Sequence, residues 1–315
     1  MKCTIRTLAI VAVGLLTFAL QMSTAHAAVI FSDSFDRDNN NDIDAVTTGI
    51  TNNTGTSFAA SAVYNSPWID PNNAAGTDTN ATNGGLQRVK NNMLEKYNAG
   101  TVNMFIEHNF VNPEITAAGG FSVSLDVNGI SQATSGQGAT VAIGMSRTEA
   151  LAGRDANDGG AAAAITPIAK FTNAFQDAPF TTGTVLADFY FAMRADKTVA
   201  WGVGGTQPSV AAPSKATVAA KTGTIKATFS FPDFNAGSPV NYTVYYNGVA
   251  QGSGSFAWSG TNENYIGIDA RDSTLVQMDN FNIQTVPEPT TFGLIAMTLA
   301  CAAGFRRPGR DVASK

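Results

Sequence analysis

Cysteine is almost missing from this chain: Cys3 and Cys301 are the only two in 315 residues, one near each end. The stretch between them offers no disulfide and no thiolate for zinc or nucleophilic chemistry. Histidine is as scarce, with His26 and His108 alone. A Ser-His-Asp or Cys-His site needs a histidine held by a partner, and zinc sites usually recruit several His or Cys ligands. His108, in Phe105-Ile106-Glu107-His108-Asn109-Phe110, therefore reads as a strand residue. Basic residues are also in short supply. Between 28 and 286 there are 13 Lys and Arg against 22 Asp and Glu, a net of −9. Nucleic acid would be repelled, so no such partner is expected.

What is present is concentrated first at the ends. Pro287-Glu288-Pro289 cannot continue a strand or helix, because two of its residues lack a backbone N–H and have fixed φ. The uncharged run Phe292–Phe305 that follows would span about 21 Å as a helix, short of the ~30 Å hydrocarbon core. Arg306, Arg307 and Arg310 then supply a cytoplasm-retained end. Triplet, short apolar helix and arginine cluster resemble the PEP-CTERM sorting signal of Gram-negative exopolysaccharide producers. That resemblance covers about 286–310 and departs from the pattern in a rather short span and a five-residue extension, 311–315. It implies transient anchoring in the inner membrane and recognition by an exosortase-type transpeptidase near Pro287, Glu288 and Pro289. Release to the cell surface or extracellular matrix would follow. A plain C-terminal anchor is the alternative.

The other end agrees. Lys2 and Arg6 precede the apolar run Leu8–Leu20, and Ala25-His26-Ala27 places small residues at the two positions a signal peptidase reads, so cleavage is expected after Ala27. Excluding signal (1–27), sorting segment (287–310) and tail (311–315) leaves 28–286, a length suited to one large domain.

That stretch is rich in Gly, Asn, Thr, Ser and Ala, residues that favour turns and exposed strand faces over helices. Strands are expected at 29–31, 58–64, 101–110, 121–127, 140–146, 185–194, 198–203, 225–231, 240–246, 265–269 and 275–283. No helix is expected outside the export segments. Alternation is clearest in Ile225-Lys226-Ala227-Thr228-Phe229-Ser230-Phe231, with one dry face and one wet. Asn247-Gly248 after Tyr242–Tyr246 reads as a type I′ hairpin. The fold class is all-β: a two-sheet antiparallel sandwich. Segments 153–179 and 204–223 read as long loops at its rim, for binding or as mobile insertions.

The start, Phe31-Ser32-Asp33-Ser34-Phe35-Asp36-Arg37, and the end, Tyr265–Arg271 followed by Met278–Ile283, resemble the terminal strands of concanavalin A-like, LamG-type jelly rolls. Tyr245–Val249 with Phe256-Ala257-Trp258 resembles that family's penultimate hairpin. The resemblance implies that first and last strands are neighbours in one sheet, on a fold that hosts carbohydrate binders, glucanases and adhesion modules. Laminarinase-type members carry Glu-x-Asp-x-x-Glu, two carboxylates on one strand face about 5–5.5 Å apart. Glu95, Glu107, Glu114, Glu149 and Glu263 lack that spacing. Asp126, Asp188 and Asp269 fall on expected strands, with nothing in the sequence to pair them. No catalytic residue is assigned.

Asp38, Asn40, Asp42 and Asp44 place oxygen ligands on alternating residues, which suits Ca²⁺. Ile43 and Gly49 stand where an EF-hand has Gly and Glu, and a loop that satisfies its own backbone is the favoured alternative. Of the tryptophans, Trp201 and Trp258 lie in apolar runs and read as core. Trp68, in a loop between Pro67 and Ile69, is the candidate for stacking on a sugar ring, with packing under that loop as the alternative. The reading is an exported, non-catalytic structural or glycan-binding module that meets polysaccharide. A carbohydrate-active enzyme, glycoside hydrolase or lyase, and a laminin-G-like protein-binding adhesion module are the alternatives.

Overall fold

The computed structural model describes residues 27–69, 87–97, 101–131, 133, 136–153, 168–181, 183–205, 210–260, 262–271 and 275–286. Ala28–Val286 form one compact unit. In chain order the strands are β1 (Val29–Asp33), β2 (Ile50–Asn52), β3 (Tyr64–Ile69), β4 (Gln87–Val89), β5 (Leu94–Tyr97) and β6 (Thr101–Ile106). Then come β7 (Gly120–Ile130), β8 (Gly138–Met145), β9 (Ile168–Lys170), β10 (Gly183–Val185), β11 (Phe189–Arg194) and β12 (Thr198–Val203). The last are β13 (Ser214–Thr217), β14 (Gly223–Ser230), β15 (Pro239–Tyr246), β16 (Val249–Ala257), β17 (Tyr265–Arg271) and β18 (Leu275–Thr285).

Antiparallel pairing sorts them into two sheets. The first runs β16-β15-β14-β7-β18-β1-β2, with β5 and then β4 also attached through β18. One edge of β18 follows β7; on the other, Leu275–Met278 pairs with β5 and Phe281–Gln284 with β1. The first and last strands are thus neighbours, as a jelly roll requires. The second sheet runs β13-β12-β11-β8-β17-β6-β3. Between the sheets, Val123, Leu125, Ile225 and Phe229 meet Val141, Ile143, Phe189 and Phe191 in one core cluster. Each such side chain contributes about 1.5–3 kcal/mol by leaving water. Asn247 (φ 47°) and Gly248 (φ 78°) form the expected I′ turn.

The structure departs from the sequence reading in four respects. Two short helices occur, Pro113–Ala117 and Arg147–Ala152, each started by a local cap: Asn112 accepts from the Glu114 N–H, and Ser146 and Glu149 form a capping box. Strand β3 begins at Tyr64, where 58–64 was expected to end, and 185–194 is broken before β11 by a bend at Asp188. The expected loop 204–223 contains β13, which extends the second sheet. The fourth concerns 153–179. Its described part, 168–179, is no rim loop; with the following residues to Ala187 it lies on the outer face of the second sheet as a third layer, which includes the parallel pair β9–β10. Strands β8 and β11 are consequently buried at every position, not only on one face. The seat is cut by glycines. A Cβ at Gly267 would lie 2.7 Å from the Phe171 ring, and one at Gly138 (φ 150°) 2.0 Å from the Met193 carbonyl and 3.0 Å from the Phe175 ring.

A buried ion pair ties the two sheets together at their β1–β3 end. Arg37 donates to both oxygens of Asp33, at 2.7 and 2.8 Å, and to the carbonyls of Ile43 (2.8 Å) and Thr48 (3.0 Å). Asp33 closes β1 in the first sheet, and the hydroxyl of Tyr64, opening β3 in the second, donates to it at 2.9 Å. Burial pulls the Arg37 pKa down, but the hydrogen bond and charge of Asp33 outweigh it and the net direction is up. Burial and the Asp33 charge together push the Tyr64 hydroxyl well up. Arg37→Ala leaves Asp33 buried without its counter-charge, and chemical denaturation should show a loss of about 3–5 kcal/mol.

Candidate functional site

The residues singled out in the sequence do not gather in one place. Asp44 Oδ2 accepts the backbone N–H groups of Val63 (2.7 Å) and Tyr64 (2.8 Å), and Asp42 Oδ2 accepts the Ser61 hydroxyl at 2.6 Å. Asn40 Oδ1 accepts the Asp42 N–H at 2.9 Å, an Asx turn, while Asp38 is exposed. Among the described residues no three His, Cys, Asp or Glu side chains converge as a metal site would need. Trp68 is not in a loop; its backbone lies on edge strand β3, opposite Asn103. Trp201 and Trp258 are core. His108 lies just past β6, edge-on to Phe58 and Phe110, with its pKa lowered by burial. Pro287, Glu288, Pro289, Arg306, Arg307 and Ala25 lie outside the described residues, and Ala27 is the first residue within them.

Two polar constellations appear that no local pattern announced. The first surrounds Asp188, where the end of β8, the bend before β11 and the residues after β12 and β16 meet at one end of the second sheet. Its carboxylate occupies space left by two glycines in the left-handed region: a Cβ at Gly144 (φ 78°) would fall 2.6 Å from the Asp188 Cβ, and one at Gly205 (φ 82°) 3.2 Å from its Oδ1. The Ser259 N–H donates to Oδ2 at 3.0 Å and the Ser259 hydroxyl donates to Oδ1. Nearby, Asn264 Oδ1 accepts the Gly144 N–H at 2.9 Å. Burial drives the Asp188 pKa up to about 7, against the pull of the Ser259 donors and with help from the Glu149 charge. A carboxylate poised near neutrality at a loop-built end of a sandwich is a recognised signature of functional sites. Its partner Ser259 is 71 residues away, so sequence spacing carried no sign of it.

The second lies under the third layer. Across the outer face of the second sheet, Asp269 sits between Asn103 and Thr140, and Gly138 stands between Arg271 and Arg194. Lys170 of the layer donates to Asn173 at 3.1 Å and lies 3.7 Å over the Phe180 ring. Burial lowers its pKa to about 8, with the Asp269 charge opposing. Arg271, lowered to about 10 by burial, stands over the Phe175 ring. Both amide atoms of Asn103 and the Tyr190 hydroxyl have no hydrogen-bond partner among the described residues. These groups would suit sugar hydroxyls, yet Asn103, Lys170, Arg194 and Asp269 are all 2 % exposed or less. In this arrangement Arg194 and Asp269 hold the layer down, through Asp177 (2.7 Å) and Thr172 (3.4 Å).

With that geometry established, the chain can be set beside known proteins. The family model described as the PEP-CTERM protein-sorting motif matches residues 285–307. The chain carries that sorting motif. No curated protein matches the chain in sequence. Among solved structures, an endo-1,3-β-glucanase from Streptomyces sioyaensis is similar at 13% identity and a TM-score of 0.43, over 82% of this chain and 96% of that one. The exoplasmic/lumenal domain of VIP36, bound to Ca²⁺ and Man3GlcNAc, is similar at 8% identity and a TM-score of 0.40, over 66% and 85%. The Emp46p carbohydrate recognition domain is similar at 9% and 0.41, over 70% and 97%. These neighbours are concanavalin A-like lectin and glucanase jelly rolls. Likeness at this level assigns neither activity nor ligand. Among the described residues, no helix is long and apolar enough to cross a membrane.

The Asp188 environment has a measurable consequence. With its folded-state pKa near 7 against an ordinary 3.8, the native state holds this proton more tightly than the unfolded chain does. Stability should therefore fall as pH rises from about 4 to 7 and level off above, by roughly 4 kcal/mol at most from this group. Asp188→Asn, which keeps an acceptor for the Ser259 N–H, should flatten that slope in denaturation measured from pH 4 to 8.

Proposed function

We propose that this protein is an exported jelly-roll module, delivered to the outer envelope or exopolysaccharide matrix by an exosortase-type transpeptidase and working there by contact with polysaccharide. The observation that carries the reading is a junction. Strand β18 ends at Thr285 and the sorting motif starts at the same residue, so the segment to be processed leaves the sandwich directly from a strand held between β1 and β7. The folded unit is what the sorting step would deliver. Anchoring through the apolar run would be transient, and signal peptidase would already have removed the leader after Ala27.

Contact is favoured over hydrolysis by how the carboxylates are used. Asp33 is spent on Arg37, Asp44 on two backbone amides and Asp188 on Ser259. Glu95 serves Arg88 and Gln277, and Glu107 serves Arg147 and Asn65. A glycosidase needs one carboxyl as acid and a second facing it across the bond, and each of these has a structural partner instead.

Intact-mass measurement of protein from the native envelope should find a chain that begins at Ala28 and ends near Pro287-Glu288-Pro289. Finding 292–310 still attached in the extracellular pool would leave a plain anchor in place of sorting. The same material should be retained on a polysaccharide array and release no reducing ends from what it binds.

A further inference from the structure

On the first sheet, the 39–41 turn and the β4–β5 hairpin enclose an open groove of ≈ 470 Å³, lined by Asn39, Asn40, Asn41, Arg88, Val89 and Lys90. We propose that this groove binds the acidic sugar units of a polysaccharide, those bearing a carboxylate. The inference deepens the polysaccharide-contact reading and rests on it.

The walls are built before any ligand arrives. Asn40 and Val89 exchange both backbone hydrogen bonds, at 2.9 and 2.8 Å, so the turn is fastened to the hairpin. The hairpin closes through Asn91 (φ 53°) and Asn92 (φ 58°), both left-handed, with Lys90 and Met93 bonded in each direction. Asn39 Oδ1 accepts the Asn91 N–H at 2.8 Å, tying the turn to the hairpin tip as well. Arg88 is fixed by Glu95 at 2.9 Å. A site of this size and rigidity loses little freedom when filled.

The chemistry of the lining selects the ligand. Asparagine amides present donors and acceptors at fixed positions, which suits the alternating demands of sugar hydroxyls. Among the described residues no carboxylate lines the groove and both charged side chains that do are cations, although the domain around it carries a net charge of −9. The Lys90 side chain has no hydrogen-bond or ion-pair partner among the described residues, so its ammonium is available to a ligand carboxylate. A neutral sugar would use the amides and leave that charge unanswered. An acidic one answers both.

The test uses the purified full chain with polygalacturonate as the acidic probe and dextran as the neutral one. The expected result is tighter binding to polygalacturonate, weakened by salt. Lys90→Glu should reduce it at least tenfold, and Lys90→Gln in the same direction by less, with unchanged melting temperature and unchanged binding to dextran. Equal binding of wild type and Lys90→Glu to polygalacturonate would overturn the site. Equal affinity of wild type for the two polymers would overturn the ligand class. Retention of other polysaccharides on an array with neither probe bound also overturns the groove assignment while leaving polysaccharide contact standing. Silence across the whole array overturns the function on which the assignment rests.

Discussion

The Asp33 carboxylate is the constraint on which the arrangement of this sandwich turns. It closes the first strand of one sheet, receives both arms of Arg37 and accepts the hydroxyl that opens the first strand of the other. Hydrophobic burial pulls two sheets together but sets their relative position loosely, because apolar contacts are non-directional. Directional bonds to a buried charge fix it, since a misplaced partner leaves the charge unsolvated. The loop from Arg37 to Asp44 follows from the same requirement. Arg37 needs the carbonyls of Ile43 and Thr48, and Asp44 needs the N–H groups at the start of β3. Oxygen ligands spaced for a cation are in this way drawn into holding a turn.

The third layer shows a different balance. Covering the outer face of the second sheet buries Phe171, Phe175 and Phe180, and with them Lys170 and Asp269, and leaves Arg271 half-buried. Desolvation works against each charge, which is why Lys170 and Arg271 are pulled down to about 8 and about 10. The aromatic rings beneath those two cations recover part of that cost. Gly138 lets the Phe175 ring approach the sheet backbone beside Arg271, and Gly267 does the same for the Phe171 ring. A sheet face rich in polar groups is thereby committed to packing.

How much of this was legible depended on whether its cause was local. Alternating residues in β14, the Asn247-Gly248 turn and the approach of β1 to β18 were readable because side-chain period, positive-φ tolerance and terminal motifs are written in adjacent letters. The two short helices were missed although their caps, Asn112 and Ser146 with Glu149, are equally local. Strand β13 was missed because Ser214–Thr217 has no apolar alternation and takes its extended form from pairing to β12. Trp68 was placed in a loop because Pro67 and Pro71 flank it, but Pro67 is tolerated on an edge strand, where its missing N–H faces no partner.

The amino-acid sequence by itself determined the sorting motif, the all-β class, the lack of cysteine between 28 and 286 and the acidic balance, because each follows from composition or short-range order. Only the tertiary structure decided what individual polar residues do. Asp188 acquires its raised pKa from the burial around it, against the pull of Ser259, 71 residues on. Lys90 and Asn39 meet because β4 pairs with an isolated bridge at Asn40, 49 positions earlier than Val89. Desolvation and cross-strand contact are properties of position in space, and a one-dimensional pattern does not contain them.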